Sequence, residues 1–408
     1  MSTRLHPATL VARTVRLDVD DVDLVAFAGA GGVLWEHDGV SLAGRGVAAR
    51  VPVDDVEEML GAIELETDDV ELPGTGAVAI GALAFTPHPN ESLVVPEHLV
   101  GRGADGTVWS TIVGEHATRR LPTARLDTNA QLPRSPSGFR LTAVPGHDEW
   151  CASVTEAVAR IEAGDVEKVV LARAVEVEAD GPLIVPQILR RLRMLFPSCM
   201  VFSADGCIGA SPELLIARLG LDVRSQPLAG TVGRSGDPAT DERLARELLA
   251  STKDRHEHGL VVDAVASALR PVCDRLDIPS TPAIVPLRNV AHLGTTIRGR
   301  LATPAPSALA LARRLHPTPA VAGTPTIAAL SLISMLEGSP RGHYAGPVGW
   351  VDGRGNGEWA VGIRSAEVNG NRARLMSGVG IVAGSDPDDE LAETQLKLQA
   401  LLAAIVRP

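Results

Sequence analysis

The stretch AGPVGWVDGRGNGEWAVGIRSAEVNGNRARLMSGVGIV, residues 345–382, decides the fold class. It reads as three strands, 345–351, 358–368 and 373–382, with Asp352-Gly353-Arg354-Gly355-Asn356-Gly357 turning the first back onto the second. Working outward, KVVLARAVEVEA at 168–179 is another run rich in β-branched residues, and short strands are expected at 200–203 and 213–217. Residues 12–118 read as hairpins with short helices, and Asp38-Gly39 between two strand-like runs is a hairpin-turn signal. Two long helices are expected, 241–270 and 388–406, the second with acidic residues at its positive N-terminal end. A shorter helix takes Asp148 as its N-cap, repeats Trp150, Val154, Val158 and Ile161 at helical spacing, and stops at Gly164. Strands in hairpin order with few long helices argue for α+β with mainly antiparallel sheets, not alternating βαβ. The polar, proline-bearing segment 119–145 is the best candidate for a boundary.

The 408 residues are 45% apolar and 22% charged, which suits a globular chain with a sizeable core. A formal net charge of −12 argues against sequence-independent nucleic-acid binding, which needs a basic face. No run of about 18 uncharged apolar residues occurs, and the N-terminus meets acidic residues too early for a secretory signal. A cytoplasmic protein without membrane contact is therefore expected. Cys151, Cys199, Cys207 and Cys273 form no CxxC pair, so neither a zinc knuckle nor a disulfide framework is suggested and buried free thiols are the default. Phosphate-cradling loops fail too, since Gly29-Ala30-Gly31-Gly32 lacks the third glycine of GxGxxG and no GK[ST] occurs. Of 38 basic residues only Lys168, Lys253 and Lys397 are lysines, so 35 are arginines; Tyr344 is the single tyrosine. Those few ammonium groups and the one phenol come first as candidates for chemistry.

Lys168 opens a strand whose alternating face continues through Val170 and Ala172. If that face is buried, desolvation lowers the lysine pKa and makes it a general base; otherwise it reaches solvent like other strand-end lysines. Glu213, just after a turn in Gly209-Ala210-Ser211-Pro212-Glu213, stands where a carboxyl could be held as an acid. In His256-Glu257-His258 the two histidines are two apart on a helix, pointing about 200° from each other, so one zinc cannot take both. Glu257 shares a stripe with Val261, Ala264 and Ala268, and a buried carboxylate there needs either an arginine partner or a cation. Glu390, Glu393 and Lys397 lie on one helix face, either as an exposed i, i+4 pair or as a cation ligand beside an ammonium aimed at a substrate carboxylate.

In order, Glu167-Lys168-Val169-Val170-Leu171-Ala172-Arg173, Ala210-Ser211-Pro212-Glu213-Leu214-Leu215, Pro227-Leu228-Ala229-Gly230-Thr231, Lys253-Asp254-Arg255-His256-Glu257-His258 and His316-Pro317-Thr318-Pro319-Ala320-Val321-Ala322-Gly323 precede Gly357-Glu358-Trp359 with Ile363-Arg364. Ser377-Gly378-Val379-Gly380-Ile381, Glu393-Thr394 and Lys397-Leu398 complete the set. Together they resemble the chorismate-utilising enzymes, and within them the isochorismate synthases, over residues 147–405.

The resemblance implies roles position by position. Lys168 matches the general base that activates water for attack on C2 of chorismate, and Glu213 the acid that protonates the departing C4 hydroxyl. Glu257 and Glu393 match carboxylates that hold Mg²⁺, a hard cation suited to oxygen ligands. Arg364, the Gly378 backbone and Lys397 match groups around a substrate carboxylate; Gly230 and Thr231 match a loop at the ring carboxylate, and Tyr344 an aromatic position facing the enolpyruvyl arm. Ala320 stands where ammonia-adding relatives carry threonine, and Ala229 where aminodeoxychorismate synthases carry lysine. A salicylate synthase, which goes on to eliminate pyruvate, is the alternative within the family. A non-catalytic binding protein on this scaffold would lack at least one of Lys168, Glu213, Glu257 and Glu393, and all four are present. The implied fold is one large α+β domain over residues 1–408, with two packed, mainly antiparallel sheets and helices outside. In it 1–118 is a hairpin-rich part, 119–146 a crossover and 147–408 the catalytic core. The implied protein is a monomer serving siderophore or menaquinone synthesis.

Overall fold

Asp38 and Gly39 hold φ of 47° and 81°, the left-handed pair whose twist suits a two-residue hairpin turn. They join Val33–His37 to Val40–Arg45 as the Asp-Gly signal predicts. The computed structural model describes residues 10–19, 22–115 and 134–407; most of the proposed 119–146 crossover lies outside them. Lys168–Ala179 is a strand over the whole expected run, paired antiparallel with Arg372–Ile381 from Val169 opposite Ile381 to Glu178 opposite Arg372.

That pair belongs to a 13-stranded sheet that continues through Ser365–Asn369, Cys207–Ser211, Met200–Ala204, Val33–His37 and Val40–Arg45 to Val11–Leu17. A nine-stranded sheet is centred on Leu214–Leu219, Gly357–Val361, Pro347–Asp352 and Val78–Ala82. Among the pairs between described strands only Val11–Leu17 with Glu64–Asp68 is parallel. Trp35, Trp109 and Phe202 from the first sheet and Ile80, Val348 and Trp350 from the second share one buried cluster. Helices Val185–Leu195 and Pro387–Val406 cover the large sheet with Ile188, Leu189, Leu192, Leu398, Leu401 and Ile405. The α+β reading with mainly antiparallel sheets stands.

Four local expectations change. The strand expected at 358–368 is two strands in different sheets, Gly357–Val361 and Ser365–Asn369. The chain breaks between them because Arg364 takes φ 51° and the Ser365 hydroxyl donates to the Gly362 carbonyl at 2.7 Å. The helix expected at 241–270 is also two, Pro238–Ala250 and Thr252–Leu269. Ser251 leaves helical geometry at ψ 116° and caps the second helix by accepting from Asp254 N. The helix assigned to an Asp148 cap starts earlier, at His147, with Gly146 as N-cap. Finally, a third sheet of three strands, Leu228–Gly233, Val290–Gly294 and Ala283–Pro286, stands beside the two large ones.

Candidate active site

One cavity is walled by the Lys168–Ala179 and Arg372–Ile381 strands, the small sheet, and helices Thr252–Leu269 and Pro387–Val406. Glu213, Gly230, Thr231, Glu257, Ala320, Tyr344, Arg364, Gly378, Glu393 and Lys397 all line it. Lys168, the remaining expected position, reaches the wall by donating from Nζ to Glu257 Oε1 at 2.7 Å.

Lys168 is 2% exposed, so its strand face is indeed inward. The neighbouring strand makes room for it with a glycine: a Cβ on Gly380 would sit 2.7 Å from Lys168 Cε and 3.1 Å from Glu257 Oε1. Burial alone would raise the Glu257 pKa, but Lys168, Lys397 and Lys253 outweigh it and hold the carboxyl below its usual range. The partner of Glu257 is thus a lysine, not an arginine. Glu393 and Lys397 do form the i, i+4 pair, at 2.7 Å, but face the cavity with side chains 34% and 21% exposed. Lys397 Nζ also donates to the Gly378 carbonyl at 3.1 Å.

Glu213 lies between Cys207–Ser211 and Leu214–Leu219, is 4% exposed, and its own N–H donates to the Ser211 hydroxyl. Burial pushes its pKa up to about 8, against the opposing pull of the Leu228 N–H, Lys168 and Lys397. The carboxyl therefore holds its proton at neutral pH, the state a general acid needs.

On the other wall, Gly230 takes φ 71° at a bulge between Ala229 and Thr231, which turns its carbonyl to His292 Nδ1 at 3.2 Å. Thr231 Oγ1 lies 3.1 Å from the same nitrogen. Arg364 Nη2 donates to His292 Nε2 at 3.0 Å, so the ring is neutral with its proton on Nδ1. Burial, then Arg364 and Lys397, depress the His292 pKa and keep it neutral. Arg364 is 8% exposed, and its Nη1 is buried with no acceptor among the described residues. A buried, half-satisfied guanidinium in a cavity wall is suited to a carboxylate that takes the remaining donor. Arg364 and Ala345, both cavity residues, also carry positive φ, 51° and 66°, a conformation that surrounding structure must enforce. Tyr344 is buried beside the Gly378 backbone, and burial lifts its phenol to about 12.

Further residues of the wall have no role of their own in the sequence reading. His292 carries no motif that would signal it, because its partners come from different elements. Arg341, 5% exposed, donates to the Val170 and Val321 carbonyls at 2.7 Å each and pairs with Glu337. It ties the strand of Lys168 to the turn that carries Ala320. Glu390 shares the helix face of Glu393, lines the cavity and is held above the usual carboxyl range by burial. Lys253 lines the cavity as well. No group of three metal-ligating side chains converges in this cavity among the described residues. Glu257 and Glu393, both lining the cavity and each paired with a lysine, offer the carboxylate oxygens that a hard cation such as Mg²⁺ takes.

The sequence model described as a chorismate binding enzyme matches residues 54–406. The isochorismate synthase DhbC of Bacillus subtilis is 38% identical over 339 residues, 80% of each chain. The isochorismate synthase EntC of Escherichia coli K12 is 37% identical over 330 residues, again 80% of each. Among solved structures, the menaquinone-specific isochorismate synthase MenF of Escherichia coli superposes with a TM-score of 0.83 at 25% identity, covering 98% of this chain and 95% of that one. With a family match over most of its length and relatives this similar, the chain belongs to the chorismate-binding enzymes.

Proposed function

We propose that the chain is an isochorismate synthase: with Mg²⁺ it adds water at C2 of chorismate and expels the C4 hydroxyl. The observation that carries this reading is the convergence of the expected positions, scattered from 168 to 397 in sequence, on one cavity. Lys168 Nζ, which lies 2.7 Å from Glu257 Oε1, takes the proton of the entering water. Glu213 delivers its proton to the C4 oxygen, which leaves as water while the ring double bonds shift. The proton gained at one face and the proton lost at the other balance. Arg364, whose Nη1 meets no acceptor among the described residues, and Lys397, on the Gly378 carbonyl, bind and orient the enolpyruvyl carboxylate, and the Gly230–Thr231 bulge receives the ring carboxylate. Glu257 and Glu393 would hold Mg²⁺. When bound it supplies positive charge against the ring carboxylate.

The test is direct. Purified chain with chorismate and MgCl₂ should yield isochorismate by chromatography, lose turnover in EDTA and recover it with Mg²⁺. Fluorescent salicylate in the same reaction would instead favour the salicylate synthase alternative, against which Ala320 and the isochorismate synthase relatives weigh. A chain inert towards chorismate with and without Mg²⁺ ends the reading.

A further inference from the structure

The cysteine spacing gives no zinc motif, yet the fold assembles one from two helices. His147 and Cys151 stand at i, i+4 at the start of helix His147–Glu162, the spacing that puts two ligands on one helix face. Asp388 comes from the first turn of helix Pro387–Val406, which packs against it. Among the described residues these three are the one group of three or more His, Cys, Asp or Glu whose ligand atoms converge, all within 4.8 Å of one another. The individual separations are 3.1 Å for His147 Nε2 to Asp388 Oδ1, 3.8 Å for Cys151 Sγ to His147 Nε2 and 3.9 Å for Cys151 Sγ to Asp388 Oδ1. A tetrahedral zinc with bonds of about 2.0 Å to N and O and about 2.3 Å to S sets the N···O edge near about 3.3 Å and the edges to sulfur near about 3.5 Å. Only the thiol has to move, by roughly a few tenths of an ångström on that geometry.

A second feature points to a metal independently of the ligand triangle. His147 Nδ1 lies 3.1 Å from Asp148 Oδ1. A carboxylate on the far nitrogen is the arrangement that fixes the tautomer and the ring of a metal-bound histidine. Charge is consistent as well. Two helix N-termini meet here and their positive ends oppose a cation, but the carboxylates of Asp148, Asp386 and Asp388 gather negative charge around the thiol. A divalent cation offsets that negative charge. His147 and Asp388 are exposed and Cys151 half-buried, so ions have access.

We propose that His147, Cys151 and Asp388 form a zinc site, its fourth position open to water, that clamps the start of the helix bearing Glu393 and Lys397. It is separate from the oxygen-lined cavity: Asp388 and Glu393 are five residues apart, about 7.5 Å along the axis and about 140° around it. The mixed N, S, O set selects a borderline-soft ion over Mg²⁺.

The full-length chain, stripped with EDTA and desalted, is titrated with Zn²⁺ against a chromophoric chelator in excess Mg²⁺. One zinc should bind per chain, tenfold or more weaker in both Cys151→Ser and His147→Ala. Co²⁺ should give a thiolate-to-cobalt charge-transfer band that Cys151→Ser abolishes. Zinc should raise the melting temperature of the wild type and not that of Cys151→Ser. Both variants should keep the Mg²⁺-dependent turnover and the far-ultraviolet circular dichroism of the wild type. Equal zinc affinity in wild type and Cys151→Ser, a cobalt spectrum with no thiolate band, or zinc lost in Glu393→Gln while both variants retain it would overturn the site.

Discussion

Lys168 is one of three lysines in a chain that otherwise uses arginine, and its proposed role as a base is one arginine could not fill. A guanidinium stays protonated at neutral pH and cannot accept a proton. Lys168→Ala should therefore lower kcat by about 10²- to 10⁴-fold with KM little changed, since the lost group acts on the reacting water. Near-wild-type kcat would remove the base assignment. Glu213 makes the complementary prediction in pH. With its pKa pushed up to about 8 by burial, turnover should fall as pH rises through that value and the acid form is lost. The same shift has a stability sign. The buried carboxyl is neutral below its ordinary value, so it costs the fold nothing there; the cost grows as pH rises from 4.5 towards 8. Glu213→Gln should be inactive, and its melting temperature relative to wild type should be higher at pH 9 than at pH 5. Identical offsets at both pH values would show that Glu213 is not held protonated.

Between strands, the site depends on an absent side chain as much as on those present. Gly380 sits one strand from Lys168, and an added Cβ would meet Lys168 Cε at 2.7 Å and Glu257 Oε1 at 3.1 Å. Gly380→Ala should displace the lysine and cut kcat at least tenfold while leaving the far-ultraviolet circular dichroism intact; full activity would mean that Nζ need not occupy its present place. The Ser377-Gly378-Val379-Gly380-Ile381 motif was legible in the sequence, although the reason for its second glycine was not, because the reason lies on another strand. The β-branched run at 168–179 and the strand-like stretch at 373–382 marked the Lys168–Ala179 and Arg372–Ile381 strands, and the Asp38-Gly39 turn marked its hairpin. What the patterns concealed were interruptions. Residues 358–368 read as one run because nothing local marks Arg364, a non-glycine residue, as left-handed. Residues 241–270 read as one helix because Ser251 is tolerated inside helices and became a cap only through the geometry on either side. The third sheet, which brings Gly230, Thr231 and His292 together, pairs strands about 60 residues apart in sequence, a distance over which periodicity carries no information.

At the scale of the molecule, both large sheets draw strands from before residue 119 and after residue 146. Val33–His37 pairs with Met200–Ala204 in one sheet, and Val78–Ala82 with Pro347–Asp352 in the other. Trp350 and Phe202, 2% and 1% exposed, are covered in the same cluster as Trp35, Trp109 and Ile80 from the N-terminal part. We therefore propose that residues 147–408, although they hold every expected site position, do not fold alone. Removing residues 1–146 would strip a partner from three strands, Lys168–Ala179, Met200–Ala204 and Pro347–Asp352, leaving open edges that are templates for pairing with another chain. It would also uncover indole and phenyl surface worth roughly 25 cal/mol per Å² of apolar area returned to water. The fragment should be recovered as aggregate, or bind a hydrophobic dye and elute far ahead of its mass on gel filtration, with no isochorismate formation. A soluble monomeric fragment that turns over chorismate would instead make the catalytic core a domain in its own right. The N-terminal hairpins would then be a cover, not half of the sandwich.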